Sequence, residues 1–337
     1  METELKLKLI NRNLQEIIGK EELYKKIKSN KPVSVYWGTA ITSSISIAYF
    51  FPMLKISDLL KAGCKVKILF ADLHGALDGT SWEMLEKRYK YYKETITSIL
   101  KIIEAPTNNL EFVKGSDFQL DKKYFEDLLK LSTNTTIHDA KKAASEVVKL
   151  GDNPRLSGII YPLMQALDEE YLKVDAQLGG SDQRKIMVFA RENLPKIGYK
   201  ERIEVLNPLI PGLVGEKMSS SNEASKIDLM DNEETVKKKI NSAECVAGNP
   251  NNGLMALLEY FIFVIKSDKK EKYTINRQEK YGGNLLYSTY EELENDFINK
   301  KLHPLDLKIS IANEINTILK TIRKNSKLKK LHKEAYA

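Results

Sequence analysis

Residues 211–221 read Pro-Gly-Leu-Val-Gly-Glu-Lys-Met-Ser-Ser-Ser. A proline and two glycines mark a loop, and that loop presents Lys217, Met218 and the hydroxyls of Ser219, Ser220 and Ser221. An ammonium flanked by hydroxyls suits closure over a polyphosphate, where it neutralises charge that builds up as a phosphate bond breaks. A solvated serine-rich loop would read the same way, so the decision falls to other groups. Tyr161, Gln165 and Asp168 are spaced four and then three apart, which puts a phenol, an amide and a carboxylate on one helical stripe. Leu163, Met164 and Leu167 point elsewhere and can anchor that helix. In Gly179-Gly180-Ser181-Asp182-Gln183 the glycines permit close backbone approach, and Ser181 or Asp182 can cap a helix. Asp182 can then accept from ribose hydroxyls while Gln183 reaches a small polar ligand. No Gly-x-x-x-x-Gly-Lys-Ser/Thr loop exists, so a nucleotide must be held in another way.

The elements that position these groups follow a regular rhythm. A buried strand over 33–37 ends in Gly38-Thr39. A helix from near Ser46 carries Ile47, Phe50, Phe51 and Leu54 on one face and closes at Gly63. A second strand at 66–71 and a long helix at about 81–104 follow, then a strand at 111–113. This alternation predicts a parallel sheet with right-handed crossovers, whose ligands sit outside the carboxyl ends of the strands. The charged helical stretch at about 114–150 reads as an insertion. A helix over 157–172, a short strand at 174–176 and a helix from Asp182 to about Asn193 complete the α/β part. Beyond about 225 only helices are expected, at 232–241, 253–266, 288–299 and 305–323. The predicted division is 1–225 and 226–337.

The chain has 337 residues, 42% of them hydrophobic, enough for two cores. Its formal charge of +7 is matched by seven Lys or Arg between Lys320 and Lys333, so the rest balances to zero. A basic end of this kind suits nucleic acid, or is a solvated terminus. Cys64 and Cys245 form neither a zinc motif nor a disulfide framework, which fits a reduced, cytosolic setting. The acidic start does not resemble a signal or transit peptide. The longest apolar run, 254–265, is interrupted by Glu259 and is too short to span a bilayer.

Several stretches occur in a fixed order: Tyr36-Trp-Gly-Thr-Ala, Phe70-Ala-Asp-Leu-His, Tyr161-Pro-x-x-Gln-Ala-Leu-Asp-Glu-Glu-Tyr-Leu-Lys-Val-Asp-Ala-Gln, Gly179-Gly-x-Asp-Gln-Arg and Lys217-Met-Ser-Ser-Ser. From about Asn13 to beyond Lys308 the chain resembles the eukaryotic and archaeal tyrosyl-tRNA synthetases, which are class I enzymes. The resemblance implies a Rossmann-like catalytic domain with a helical insertion, followed by an all-α anticodon-binding domain. It implies activation of L-tyrosine with ATP, accompanied by Mg2+, and transfer of the tyrosyl group to tRNA(Tyr) in the cytoplasm. By that resemblance Tyr36 and Asp168 bind the substrate's phenolic hydroxyl, and Tyr161, Gln165 and Gln183 hold its amino and carboxyl ends. Gly38, Gly180 and Asp182 belong to the ATP site, and Lys217, Met218, Ser219, Ser220 and Ser221 meet the triphosphate. The insertion supplies a homodimer contact, and Tyr281-Gly-Gly-Asn sits where the family reads the anticodon, although a glycine turn explains those glycines equally. Tryptophanyl-tRNA synthetases share the architecture, but an indole has no hydroxyl for Tyr36 and Asp168.

One signature departs from the family. Where this branch has Gly-Lys-Pro-His, the chain has Ser43-Ser44-Ile45-Ser46, so Ser46 occupies the histidine position. A serine donor is shorter and carries no positive charge. Two readings follow. In one, Ser43, Ser44 and Ser46 with the helix N-terminus replace the missing contacts, with Lys217 and Ser46 as the catalytic pair. In the other, the protein is a catalytically weakened relative retained for RNA binding. His74 reads either as a neighbour of the tyrosine pocket or, in the preferred reading, as a hydrogen-bonded core histidine at a strand end.

Overall fold

Six strands make one sheet: β1 (Glu16–Ile18), β2 (Ser34–Ala40), β3 (Lys65–Ala71), β4 (Leu110–Lys114), β5 (Ala176–Gly180) and β6 (Ile203–Asn207). Their spatial order is β1-β6-β5-β2-β3-β4, and all pairings are parallel except that of β1 with β6. The computed structural model describes residues 2–215 and 223–336, so Lys217, Met218, Ser219, Ser220 and Ser221 lie outside the described residues.

Along β2 the pleat sends neighbouring side chains to opposite faces. Val35 and Trp37 enter the large core, while Tyr36 packs with Leu69, Ala71, Leu172 and Val174 on the other face. The strands differ from the sequence reading in several places, including a hairpin after residue 225 where only helices are expected. The fifth strand is not 174–176 but Ala176–Gly180, so the glycine pair ends a strand and does not make a turn. A Cβ on Gly179 would lie 2.6 Å from Met187 Cε, and one on Gly180 would lie 2.6 Å from Asp182 Oδ1. A side chain at either position would have to displace Met187 or Asp182, so close packing, and not φ, favours the glycines. β6 carries the fully buried Glu204 among apolar residues, which hides it from a hydrophobicity pattern.

Helices α1 (Thr3–Asn11), α2 (Lys20–Lys28), α3 (Phe50–Lys61), α4 (Asp72–Leu77) and α5 (Trp82–Ile102) alternate with the first strands. The insertion holds α6 (Lys122–Thr133) and α7 (Ile137–Ala144), and is followed by α8 (Leu156–Tyr171) and α9 (Arg184–Asn193). The later helices are α10 (Glu233–Ser242), α11 (Gly253–Leu257), α12 (Phe263–Lys269), α13 (Tyr290–Ile298), α14 (Pro304–Lys324) and α15 (Ser326–Tyr336), with a π turn, Leu258–Ile262, joining α11 to α12. A small hairpin of β7 (Tyr273–Ile275) and β8 (Leu285–Tyr287) interrupts them, and Tyr281-Gly-Gly-Asn lies in its connection. Gly282 and Gly283 have φ of 95° and 70°, the left-handed region that glycine adopts without strain. The basic end is not a frayed tail. It forms α15, which buries Leu328 and Ala335 and packs on α5.

Candidate active site

The carboxyl ends of β2 and β5, the N-terminal turn of α9 and the polar stripe of α8 converge on one cleft of about 830 Å³. Tyr36, Gly38, Ser46, Tyr161, Gln165, Asp168, Gly180, Asp182 and Gln183 all line it. Every described residue that the sequence singled out for a site therefore faces a common space. Residues 145–151 and the 42–44 turn form further walls.

At the floor, Asp168 and Tyr36 are almost completely buried. Asp168 Oδ1 accepts from Gln119 Nε2 at 2.8 Å, and the Tyr124 hydroxyl lies 2.9 Å from the same oxygen. The Tyr124 hydroxyl is also 2.9 Å from the carbonyl of Met164. Burial pushes the Asp168 carboxyl up to about 7, against these two hydrogen bonds, which lower it. Burial, and then the nearby carboxylates of Glu169 and Asp168, hold the Tyr36 phenol well above its usual range. The Tyr36 hydroxyl donates weakly, at 3.5 Å, to the carbonyl of Gln165.

His74 is both things the sequence allowed: a core residue and a lining residue. Its Nε2 stands 3.9 Å from Asp168 Oδ2 and its ring meets the Tyr161 ring edge-on. Burial lowers it to about 4, so at neutral pH the imidazole is uncharged. Farther up the cleft, Gln165 Nε2 donates to Gln183 Oε1 at 3.1 Å, joining α8 to the turn after β5.

The divergent Ser43–Ser46 stretch is tied to residues 227–229. The Ile47 N–H donates to the Ile227 carbonyl at 2.8 Å, and the Leu229 N–H donates to the Ile45 carbonyl at 3.1 Å, with Ser46 opposite Asp228. The Leu213 N–H donates to the Ser225 carbonyl at 3.1 Å. Thr39 Oγ1 and the Tyr49 hydroxyl, 2.8 Å apart, brace the other side of the turn. Sequence reasoning missed Gln119 and Tyr124, because they approach Asp168 from the insertion and no local spacing connects them.

A profile described as tRNA synthetases class I (W and Y) matches residues 28–320. The cytoplasmic tyrosine–tRNA ligase of Gallus gallus is 51% identical over 337 residues, covering 98% of this chain and 63% of the relative. The corresponding Saccharomyces cerevisiae protein is 46% identical, with 97% and 85% of the two chains covered. The crystal structure of the Archaeoglobus fulgidus tyrosyl-tRNA synthetase, complexed with L-tyrosine, superposes with a TM-score of 0.88 at 36% identity, over 96% of this chain and 99% of that one. The chain spans less than two thirds of the length of the vertebrate relatives that it matches.

Proposed function

Since this chain belongs to the class I tRNA synthetases of the tryptophan and tyrosine type, we propose that it is a tyrosine–tRNA ligase acting in the cytoplasm. The observation that carries the reading is the buried pair at the floor of the cleft. Both donors to Asp168 use Oδ1, which leaves Oδ2 for a phenolic O–H, while the Tyr36 hydroxyl can donate to the same phenol oxygen. An indole N–H could satisfy Asp168 but could accept nothing from Tyr36. A phenylalanine ring would leave both groups unpaired in a buried site.

Above the floor, Tyr161, Gln165 and Gln183 hold the amino and carboxyl ends of tyrosine. Gly38 and Gly180 let the backbone approach the adenosine, and Asp182 accepts from its ribose. Lys217, Met218 and the three serines after it meet the triphosphate, together with Ser46. ATP enters as its magnesium complex. The tyrosine carboxylate attacks the α-phosphorus, the bond to the bridging oxygen breaks and pyrophosphate leaves. The terminal ribose hydroxyl of the tRNA then attacks the tyrosyl carbonyl and AMP leaves. No covalent bond to the protein is needed. Catalysis is placement of reactants together with donors aimed at the charge on the five-coordinate phosphorus.

The helices after residue 226 serve anticodon recognition in this reading, with the exposed Tyr281 in the hairpin connection available for base stacking. Exposed apolar side chains on and near the insertion, Leu120, Phe125, Leu129 and Ile137, support a homodimer contact there. The test is charging of tRNA(Tyr) by the purified chain with ATP and either tyrosine or tryptophan. Tyrosyl-tRNA formation with tyrosine alone is expected. Folded protein that binds tRNA but makes no ester would select the RNA-binding reading instead.

A further inference from the structure

We propose that α15 is a positioning element for the phosphate side of the cleft, with His332 and Tyr336 holding the 42–46 turn in the shape that receives ATP. The inference rests on the ligase reading for what fills the cleft. The turn itself has no regular structure between Thr42 and Ile45, and it lacks the proline that the resemblance leads one to expect. It is instead held from behind. The Tyr336 hydroxyl donates to the Ser43 carbonyl at 2.7 Å, and the Tyr92 hydroxyl reaches the same carbonyl at 2.5 Å. His332 Nε2 lies 3.1 Å from Ser44 Oγ. Arg88 donates to the Thr42 carbonyl and to Thr80 Oγ1, and its guanidinium sits 4.9 Å from the centre of the Tyr336 ring.

The other side of the same turn lines the cleft. Each backbone carbonyl fixed from behind restricts the dihedral angles of the turn, and with them the wall that Thr42, Ser43, Ser44 and Ser46 give the cleft. Ser44 Oγ also lies 3.4 Å from the Tyr91 hydroxyl, so the serine is held between His332 on α15 and Tyr91 on α5. A serine-rich turn held in this way loses little further freedom when ATP binds, so the donors are set before the charge develops. Tyr91 meets both His332 and Tyr336 with ring centroids 5.4 Å apart, so α5 and α15 act on the turn as one unit.

The experiment measures tyrosine-dependent ATP–pyrophosphate exchange on the full chain and on four variants: His332→Ala, His332→Gln, Tyr336→Phe and Lys327→Ala. Lys327→Ala removes only an exposed ion pair of α15 with Glu94. Loss of one hydrogen bond to the turn in His332→Ala or Tyr336→Phe should raise KM for ATP about 5- to 10-fold while KM for tyrosine stays within a factor of about 2. His332→Gln should recover most of the difference, and Lys327→Ala should match the parent. Thermal midpoints should stay together across the set. Unchanged KM for ATP in folded His332→Ala and Tyr336→Phe overturns the proposal, as does an equal shift of both KM values together with a lower midpoint. Should the parent show no exchange, the ligase reading fails. Calorimetric ATP binding then decides this inference: weaker binding in His332→Ala supports it and equal binding overturns it.

Discussion

The carboxyl of Asp168 titrates near neutrality because burial raises it from 3.8 to about 7, although Gln119 and Tyr124 both favour the ionised form. A phenol that donates to this group prefers the carboxylate. Tyrosine binding should therefore weaken as pH falls through about 7, which calorimetry from pH 5.5 to 8.5 would show. His74 stays neutral over that range, since burial holds it near 4. Stability runs the other way. The raised carboxyl contributes fully below its ordinary value of 3.8, and the contribution is lost as pH rises through about 7. Replacing Gln119 by Leu removes a hydrogen bond that favours the charge, so the binding midpoint should move above its parent value. A midpoint that stays put or moves down would show that Gln119 does not tune the carboxylate.

Between elements, the most exacting contact lies away from the cleft. Lys55 on α3 is buried, and its ammonium donates at 3.1 Å to the carbonyls of Leu9 and Ile10 and also to that of Arg12. It thus ties together carbonyls at and just past the end of α1, while Asp58 lies 3.4 Å away. Lys55→Met leaves those carbonyls without their donor while Asp58 keeps Arg12, and should lower unfolding free energy by about 2 kcal/mol in urea titrations. KM for tyrosine should not move. A loss that appears only in KM would contradict this role. The Tyr161-Gln165-Asp168 stripe was legible because its helical spacing is local. The Asp168 partners were not, since Gln119 and Tyr124 reach it across more than forty residues. The charge run at the end concealed α15 in the same way. Leu328, Leu331 and Ala335 form an apolar stripe, but lysines between them made the segment read as solvated.

At the scale of the whole molecule, the open apolar side chains of α6 carry the assembly prediction. Phe125 and Leu129 are 59% and 52% exposed, four residues apart on one helical face. Replacing both with Glu should convert a dimer into a monomer in analytical ultracentrifugation, whereas a parent that sediments as a monomer would refute the contact. The proposed discrimination at the floor of the cleft can be measured directly. Tyrosine-dependent and phenylalanine-dependent ATP–pyrophosphate exchange should be compared in the parent and in Asp168→Asn. The parent should exchange with tyrosine and hardly at all with phenylalanine, and the variant should lose about 100-fold in kcat/KM for tyrosine with little change for phenylalanine. Equal use of both amino acids by the parent, or an unchanged ratio in the variant, would contradict a phenol held between Tyr36 and Asp168.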